Sequence, residues 1–467
     1  MKVFLETMGC QMNVLDSELV GSLLRSAGME LVDEPRLADV LLYNTCSVRR
    51  HAEDKVHSRL GWACRRKADG KKLVIGVLGC MAQRLGAALP RRHAGVDIVC
   101  APGQLPRLAE MIQSAGAEPG GSGRQIALDP PRAGKDARPP AEPLGDRLES
   151  LRDPSRTHLP GQAYVRIMRG CDKFCAYCVV PYVRGPERSR SPDSILQEVA
   201  RLVDAGVSQV TLLGQTVNSY RHRDGGKTTG LADLLERLDG VAGLRRIRFV
   251  TSYPADFDET ILQAMSDLPK VCEQLHLPAQ SGSDRMLRAM NRHYGRCQYD
   301  ELIDRARQLV GGVGIAGDFI VGFPGESEQD FADSADLIRR SRYRNSFIFK
   351  YSPRPGTAAA RRLVDDVPEP VKRRRNRDLL GVQQEVSLAG NRELLGRTLE
   401  LLVEGRSPRS RSPENRPASS GQVQMVGRTR TDHIVVFDAP DDLAGSYVEV
   451  EITNAAALTL FGRLRRA

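Results

Sequence analysis

The chain has 467 residues and is 41% hydrophobic, enough for about three domains with buried cores. No run approaches the ~18 unbroken apolar residues of a membrane helix, and Met1–Cys10, acidic at position 6, has no apolar signal core, so neither membrane spanning nor secretion is expected. Lys plus Arg number 68 against 58 Asp plus Glu, and the resulting +10 suits a polyanionic partner or a merely solubilising surface. The 10 cysteines in so long a chain without a signal point to metal or redox chemistry rather than to disulfides.

In chain order, residues 1–115 alternate strands at Val3–Thr7, Val40–Asn44 and Leu73–Leu78 with helices at Asp16–Ala27 and Ala82–Leu89. That rhythm predicts an N-terminal parallel α/β domain. Residues 116–157 are rich in Gly, Pro and charge and are expected to be a linker. Across 158–389 the spacing predicts strands at Tyr164–Met168, Gln209–Leu213, Ile247–Val250, Gln274–Leu277, Ile315–Val321 and Ser346–Tyr351. Helices fall between and after them at Pro192–Ala205, Leu231–Leu238, Glu259–Met265, Tyr299–Val310 and Asp330–Arg340, and a basic helix, Val371–Ala389, follows. Six βα units predict a partial (β/α)6 barrel that works from the carboxyl ends of its strands. In 390–467, strands at Thr398–Glu404, Gly421–Gly427, His433–Phe437 and Tyr447–Thr453 predict a small all-β barrel, interrupted by a low-complexity loop, Ser407–Ser420.

The cysteines are unevenly placed. Cys171, Cys175 and Cys178 form C-x3-C-x2-C directly after the first barrel strand, so one loop can offer a thiolate to each of three irons of a [4Fe–4S] cube. The next cysteine is Cys272, which leaves one iron open to a small chelating molecule. Zinc is the alternative, but a structural zinc wants four ligands and no Cys or His follows closely. Cys10, Cys46 and Cys80 each lie just beyond a predicted strand of the first domain, at the edge where open α/β sheets bind ligands. Spacing alone leaves two readings: three thiols meeting at one point, or three small buried hydrophobes. Cys64, Cys100, Cys272 and Cys297 lack this context, and His93 and His276 read as packing or surface residues.

The C-x3-C-x2-C motif with aromatic Tyr177 before its last cysteine resembles that of the radical S-adenosylmethionine (SAM) enzymes. The resemblance implies that SAM chelates the open iron and is cleaved reductively to a 5′-deoxyadenosyl radical, with Tyr177 against the adenine. Over nearly the whole chain the pattern resembles the methylthiotransferases of that superfamily, in particular the branch acting on isopentenylated adenosine in tRNA. The segments that carry it are 44–56, 178–185, 213–220, 275–284, 318–326 and 351–357. It implies a second [4Fe–4S] cluster on Cys10, Cys46 and Cys80, two SAM molecules, and transfer of a methylthio group to C2 of N6-isopentenyladenosine beside the anticodon. It further implies a cytoplasmic monomer that takes a tRNA anticodon stem-loop as substrate and flavodoxin or ferredoxin as reductant. Related branches act on threonylcarbamoyl-adenosine or on a ribosomal protein side chain; residues 47–50 after Cys46 are less like the latter. The long 116–157 linker and the 407–420 loop depart from the family pattern.

Four further features complete the expectations. Gly214-Gln215 stands where many radical SAM enzymes carry Gly-Glu near the methionyl amine, and Gln215 offers a carbonyl acceptor without charge. Gln280 and Ser283 follow the fourth barrel strand and either bond SAM or substrate or form a plain turn with Ser283 as helix cap. Gly322–Gly325 is a tight turn open to close backbone approach. The run Lys372–Arg377 and arginines 406, 409, 411 and 416 flank a tail that resembles the TRAM domain, an RNA-binding module; they are either phosphate contacts or a solvated face.

Overall fold

Every residue of the strand Val40–Thr45 is buried, as the middle of a parallel sheet covered on both faces requires. A computed structural model describes residues 1–47, 50–117, 123–130, 146–408 and 422–465. Val40–Thr45 lies in a six-stranded parallel sheet, ordered Glu30–Leu31, Lys2–Met8, Val40–Thr45, Val74–Gly79, Ile98–Cys100, Gln125–Ala127. Leu42 and Leu78 pack against Leu15 and Leu19 of the helix Gln11–Ser26 on one face. Leu41, Ile75 and Val77 pack against Val56 and Leu60 of the helix Arg50–Ala68 on the other. The single helix expected over Ala82–Leu89 is instead two short ones, Cys80–Leu85 and Ala88–Arg92, because Gly86 between them takes φ +47°.

The stretch expected to be a linker is partly structural. Gln125–Ala127 adds the sixth strand of the first sheet, and Asp146–Ser150 is a helix. Residues 118–122 and 131–145 lie outside the described set. Glu149 within that helix and Arg152 just after it are buried in an ionic joint between the first domain and the barrel. Arg166, on the first barrel strand, bonds Asp16 Oδ1 at 2.6 Å and Glu149 Oε1 through Nε at 2.8 Å. Arg152 bonds Glu18 at 2.7 Å and Glu198 at 2.8 Å, and Arg190 shares Glu198 at 2.6 Å. Buried charges are tolerated only when paired in this way. Burial works to raise the Glu149 carboxyl, but Arg166, Arg169 and Arg190 outweigh it and hold it down at about 2.

The barrel strands run Gln162–Arg166, Gln209–Leu213, Arg246–Phe249, then Gln274–His276, Gly314–Val321, Asn345–Lys350, in two parallel trios. A bridge between Ile247 and Val271 joins the trios into an open arc. Helices Pro192–Asp204, Leu231–Asp239, Arg296–Leu309 and Glu328–Ser341 cover its outer face around Val210, Leu212, Ile247 and Phe319. The helix Glu369–Arg392 closes over the last strand, and here the basic run departs from expectation. Lys372 and Arg375 share the buried stripe with Leu379 and Gln383, paired to Asp365 and to Glu326 and Glu328. Helical periodicity turns every third or fourth residue inward, so two members of the run are barrel residues and not surface.

The tail is a closed barrel of five strands, Thr398–Arg406, Val423–Arg428, Ile434–Ala439, Leu460–Leu464 and Tyr447–Ala455. Leu460–Leu464, unexpected from its mixed pattern, supplies the closing strand. Arginines 409, 411 and 416 and most of the Ser407–Ser420 loop lie outside the described residues, and Arg406 pairs with Asp441. Among the described residues no helix is long and apolar enough to cross a membrane.

Candidate functional site

In the first sheet, Met8, Thr45 and Gly79 stand side by side on adjacent strands. Cys10, Cys46 and Cys80 follow that row by one or two residues and therefore emerge at one edge. Two glycines permit the approach. A Cβ on Gly9 would sit 2.4 Å from Asn13 Oδ1 and 3.0 Å from Cys46 Cβ. Gly79 has φ +89°, and its Cβ would meet Asn44 Oδ1 at 2.6 Å and Thr45 O at 2.7 Å. Two buried asparagines clamp the loops: Asn13 Nδ2 donates to Asn44 Oδ1 at 3.0 Å, and Asn44 Nδ2 donates to Asn13 O at 2.9 Å.

The barrel cysteines sit in an excursion closed by a short antiparallel ladder, Met168–Arg169 against Arg188–Ser189. Gly170, at φ +74°, lies so close to Pro186 that any Cβ would be 1.9 Å from its carbonyl oxygen. Cys171 N–H donates to Gly185 O at 3.1 Å, and Ala176 N–H donates to Met290 O at 2.8 Å. The helix Val180–Val183 on this loop packs Val179 and Val183 against Cys80 of the first domain.

The two trios consequently face each other. Cys10, Cys46, Cys80, Cys171, Cys175 and Cys178 all line one cavity of about 290 Å³, with Tyr177, Gln215 and Gln280 among the other wall residues. None of the cysteines is in a disulfide, and Cys64, Cys100, Cys272 and Cys297 stand away from the cavity. His276 lies 3.2 Å from Asp318 through Nε2, and His93 stacks on His57. Ser283 is the exception among the expected contacts. Its hydroxyl donates to Asp330 Oδ1 at 2.6 Å and caps the helix Asp284–Ala289, so it serves the turn and not the cavity. Gln280 lines the cavity from a left-handed backbone, φ +71°, and Thr251 does the same at φ +69°, the kind of strain that collects at functional sites. Gln215 Oε1 is buried there with no hydrogen-bond donor.

Two arginines that sequence reasoning did not single out complete the walls. Arg184 reaches from the barrel loop, donates through Nε to Cys80 Sγ at 3.1 Å and pairs with Asp16 at 3.0 Å. Arg292 donates to Cys175 Sγ at 3.4 Å, to Pro278 O at 2.9 Å and to Tyr294 Oη at 2.9 Å. Each trio thus has one buried guanidinium against one of its sulfurs. Hydrogen bonding with Cys46, helped by the Arg184 charge, pulls the Cys10 thiol down to about 5 against its burial. Burial pushes the Cys171 thiol up to about 12, and raises Cys80 and Cys178.

This donor set favours a polynuclear group. Each trio offers three thiols, where a structural zinc takes four donors. Tetrahedral zinc needs its donors to converge on one point, whereas a cube takes each thiolate at a different iron.

Comparison with known proteins agrees with this geometry. Residues 2–101 match the Uncharacterized protein family UPF0004 and residues 165–338 the Radical SAM superfamily. A solved radical SAM methyltransferase from Kitasatospora setae superimposes with TM-score 0.54 at 14% identity, over 77% of this chain and 74% of that one, which shows a shared fold. Proteins described as tRNA-2-methylthio-N(6)-dimethylallyladenosine synthase are far more similar. One from Rhodopirellula baltica is 47% identical over 99% of this chain and 95% of its own length. Another, from Moorella thermoacetica, is 42% identical over 98% and 97%. At that identity across sheet, barrel and tail together, the chain belongs to the tRNA-2-methylthio-N(6)-dimethylallyladenosine synthase family of radical SAM proteins.

Proposed function

We propose that this protein is a tRNA methylthiotransferase that places a methylthio group on C2 of N6-isopentenyladenosine beside the anticodon. The observation that carries this reading is the meeting of six thiols, three from each of two domains, around one cavity. Cys171, Cys175 and Cys178 would hold one [4Fe–4S] cluster, and Cys10, Cys46 and Cys80 a second. Bound there, the two clusters and SAM supply the reductive radical chemistry and the methylthio group that no side chain can provide at an unactivated aromatic C–H.

The chain's own residues do the positioning. With three thiols apiece, each trio would leave one iron of its cluster without a ligand from the chain, and so open to a small molecule in the cavity. The orphan acceptor Gln215 Oε1 suits the methionyl amine of SAM, since a buried acceptor without a donor is otherwise costly. Tyr177, packed beside Met286 and Met290, offers a flat apolar surface to the adenine. Arg184 and Arg292 place positive charge beside thiolates that would otherwise repel one another. An anticodon loop can release its base into the cavity at modest cost, and the tail barrel would grip the backbone of the same RNA. One-electron reduction calls for a carrier such as flavodoxin or ferredoxin, and cysteines held outside any disulfide fit a reducing cytoplasm.

Anaerobic reconstitution tests the reading: the full chain should take up ~8 iron, and the Cys10→Ala/Cys46→Ala/Cys80→Ala variant about half. That variant should still yield 5′-deoxyadenosine from SAM yet form no methylthiolated nucleoside on a prenylated stem-loop. Product from it, or full iron content in it, refutes the assignment.

A further inference from the structure

The last barrel strand, Asn345–Lys350, carries two phenylalanines that the core does not use. Phe347 and Phe349 are 48% and 39% exposed, and their rings lie nearly parallel, 6.4 Å apart at 15°. Ser346 and Ile348, between and beside them, are buried, and Ile348 packs in the barrel core with Leu379 of the covering helix. Alternation along a strand puts Phe347 and Phe349 on the opposite, concave face. Strand pairing confirms the face: Phe347 stands beside Asp318 and Phe349 beside Ile320. Asp318 lines the six-cysteine cavity, and Ile320 packs on the same apolar cluster as Tyr177.

The strand is the open edge of its sheet, so the pair stands exposed one strand beyond Asp318, a residue of the cavity wall. Leaving two phenylalanines in water sacrifices the burial that normally places them in a core, which marks the pair as a surface that is covered in use. We propose that Phe347 and Phe349, with Ile320, form the wall that receives the five-carbon N6 substituent of the target adenine. This rests on the function proposed above and adds the selection of its substrate. An uncharged branched hydrocarbon suits two phenyl faces. A carbamoyl substituent bearing a carboxylate does not, because the neighbouring group on this face is the carboxylate of Asp318.

The test measures the affinity of full-length protein for two synthetic anticodon stem-loops, identical except for the N6-isopentenyl group. Wild type should prefer the prenylated RNA by about tenfold or more. Phe347→Ala/Phe349→Ala should bring that ratio close to one while binding of the unmodified RNA stays unchanged; Phe347→Leu/Phe349→Leu, still apolar, should keep most of the preference. Equal loss on both RNAs would make the pair a base-stacking platform and overturn the proposal, as would an unchanged ratio or no preference in wild type. Nucleoside analysis of wild-type turnover is read separately. Product with an unaltered ratio sinks only the aromatic wall, whereas a collapsed ratio without product sinks the methylthiolation reading and leaves the wall standing.

Discussion

Glu149→Gln probes the ionic joint that holds the two cysteine trios in opposition. Glu149 is 1% exposed and accepts from Arg166 Nε at 2.8 Å and from Arg169 at 3.3 Å. Its carboxyl is held at about 2 against an ordinary 4.5. At 1.36 kcal/mol per pH unit that difference is worth about 3 kcal/mol, in the range of breaking a buried ion pair. Because the folded carboxyl is the stronger acid, this contribution is complete above pH 4.5 and drains away as pH falls toward 2. Urea unfolding followed by circular dichroism should therefore show the variant weaker by about 3 kcal/mol at pH 7, with about half of that difference gone by pH 3. A deficit below about 1 kcal/mol, the worth of an exposed pair, or one that is equal at both pH values, would refute the joint as described.

Gly79→Ala puts a methyl group where 2.6 Å separates it from Asn44 Oδ1, on a backbone at φ +89°, and should cost about 1–3 kcal/mol in thermal unfolding. Iron uptake should fall with it, since Cys80 is the next residue; a variant with normal stability and iron would show that the close approach is dispensable. The basic helix offers a contrast. Arg375→Ala strands Glu326, 1% exposed at its side chain, and should lose about 3–5 kcal/mol, whereas Arg373→Ala breaks only an exposed pair and should lose less than about 1 kcal/mol. Similar losses from the two would mean that the run is a uniform solvated face after all.

Order along the chain was legible without coordinates. Strands such as Val40–Thr45 and Gln209–Leu213 are short apolar runs between helical periods, and the C-x3-C-x2-C loop announces its chemistry through local spacing. Such signals reside within a few consecutive residues, where geometry follows directly from the backbone repeat. Convergence is a different matter. That Cys10, Cys46 and Cys80 meet, and meet Cys171, Cys175 and Cys178, depends on sheet register and on the domain joint. Arg292 has no periodic or motif signature, and Arg184, though inside the family-like segment 178–185, is not marked there as a sulfur contact; both matter because distant segments bring sulfur within reach of them. Glu149 and Arg152 lay in a stretch whose composition favours a linker, and only their burial against Arg166 and Glu198 makes them structural. Lys372 and Arg375 similarly look like surface until packing turns them inward. A charged residue's role is set by its partners across space, and adjacent letters do not encode those partners.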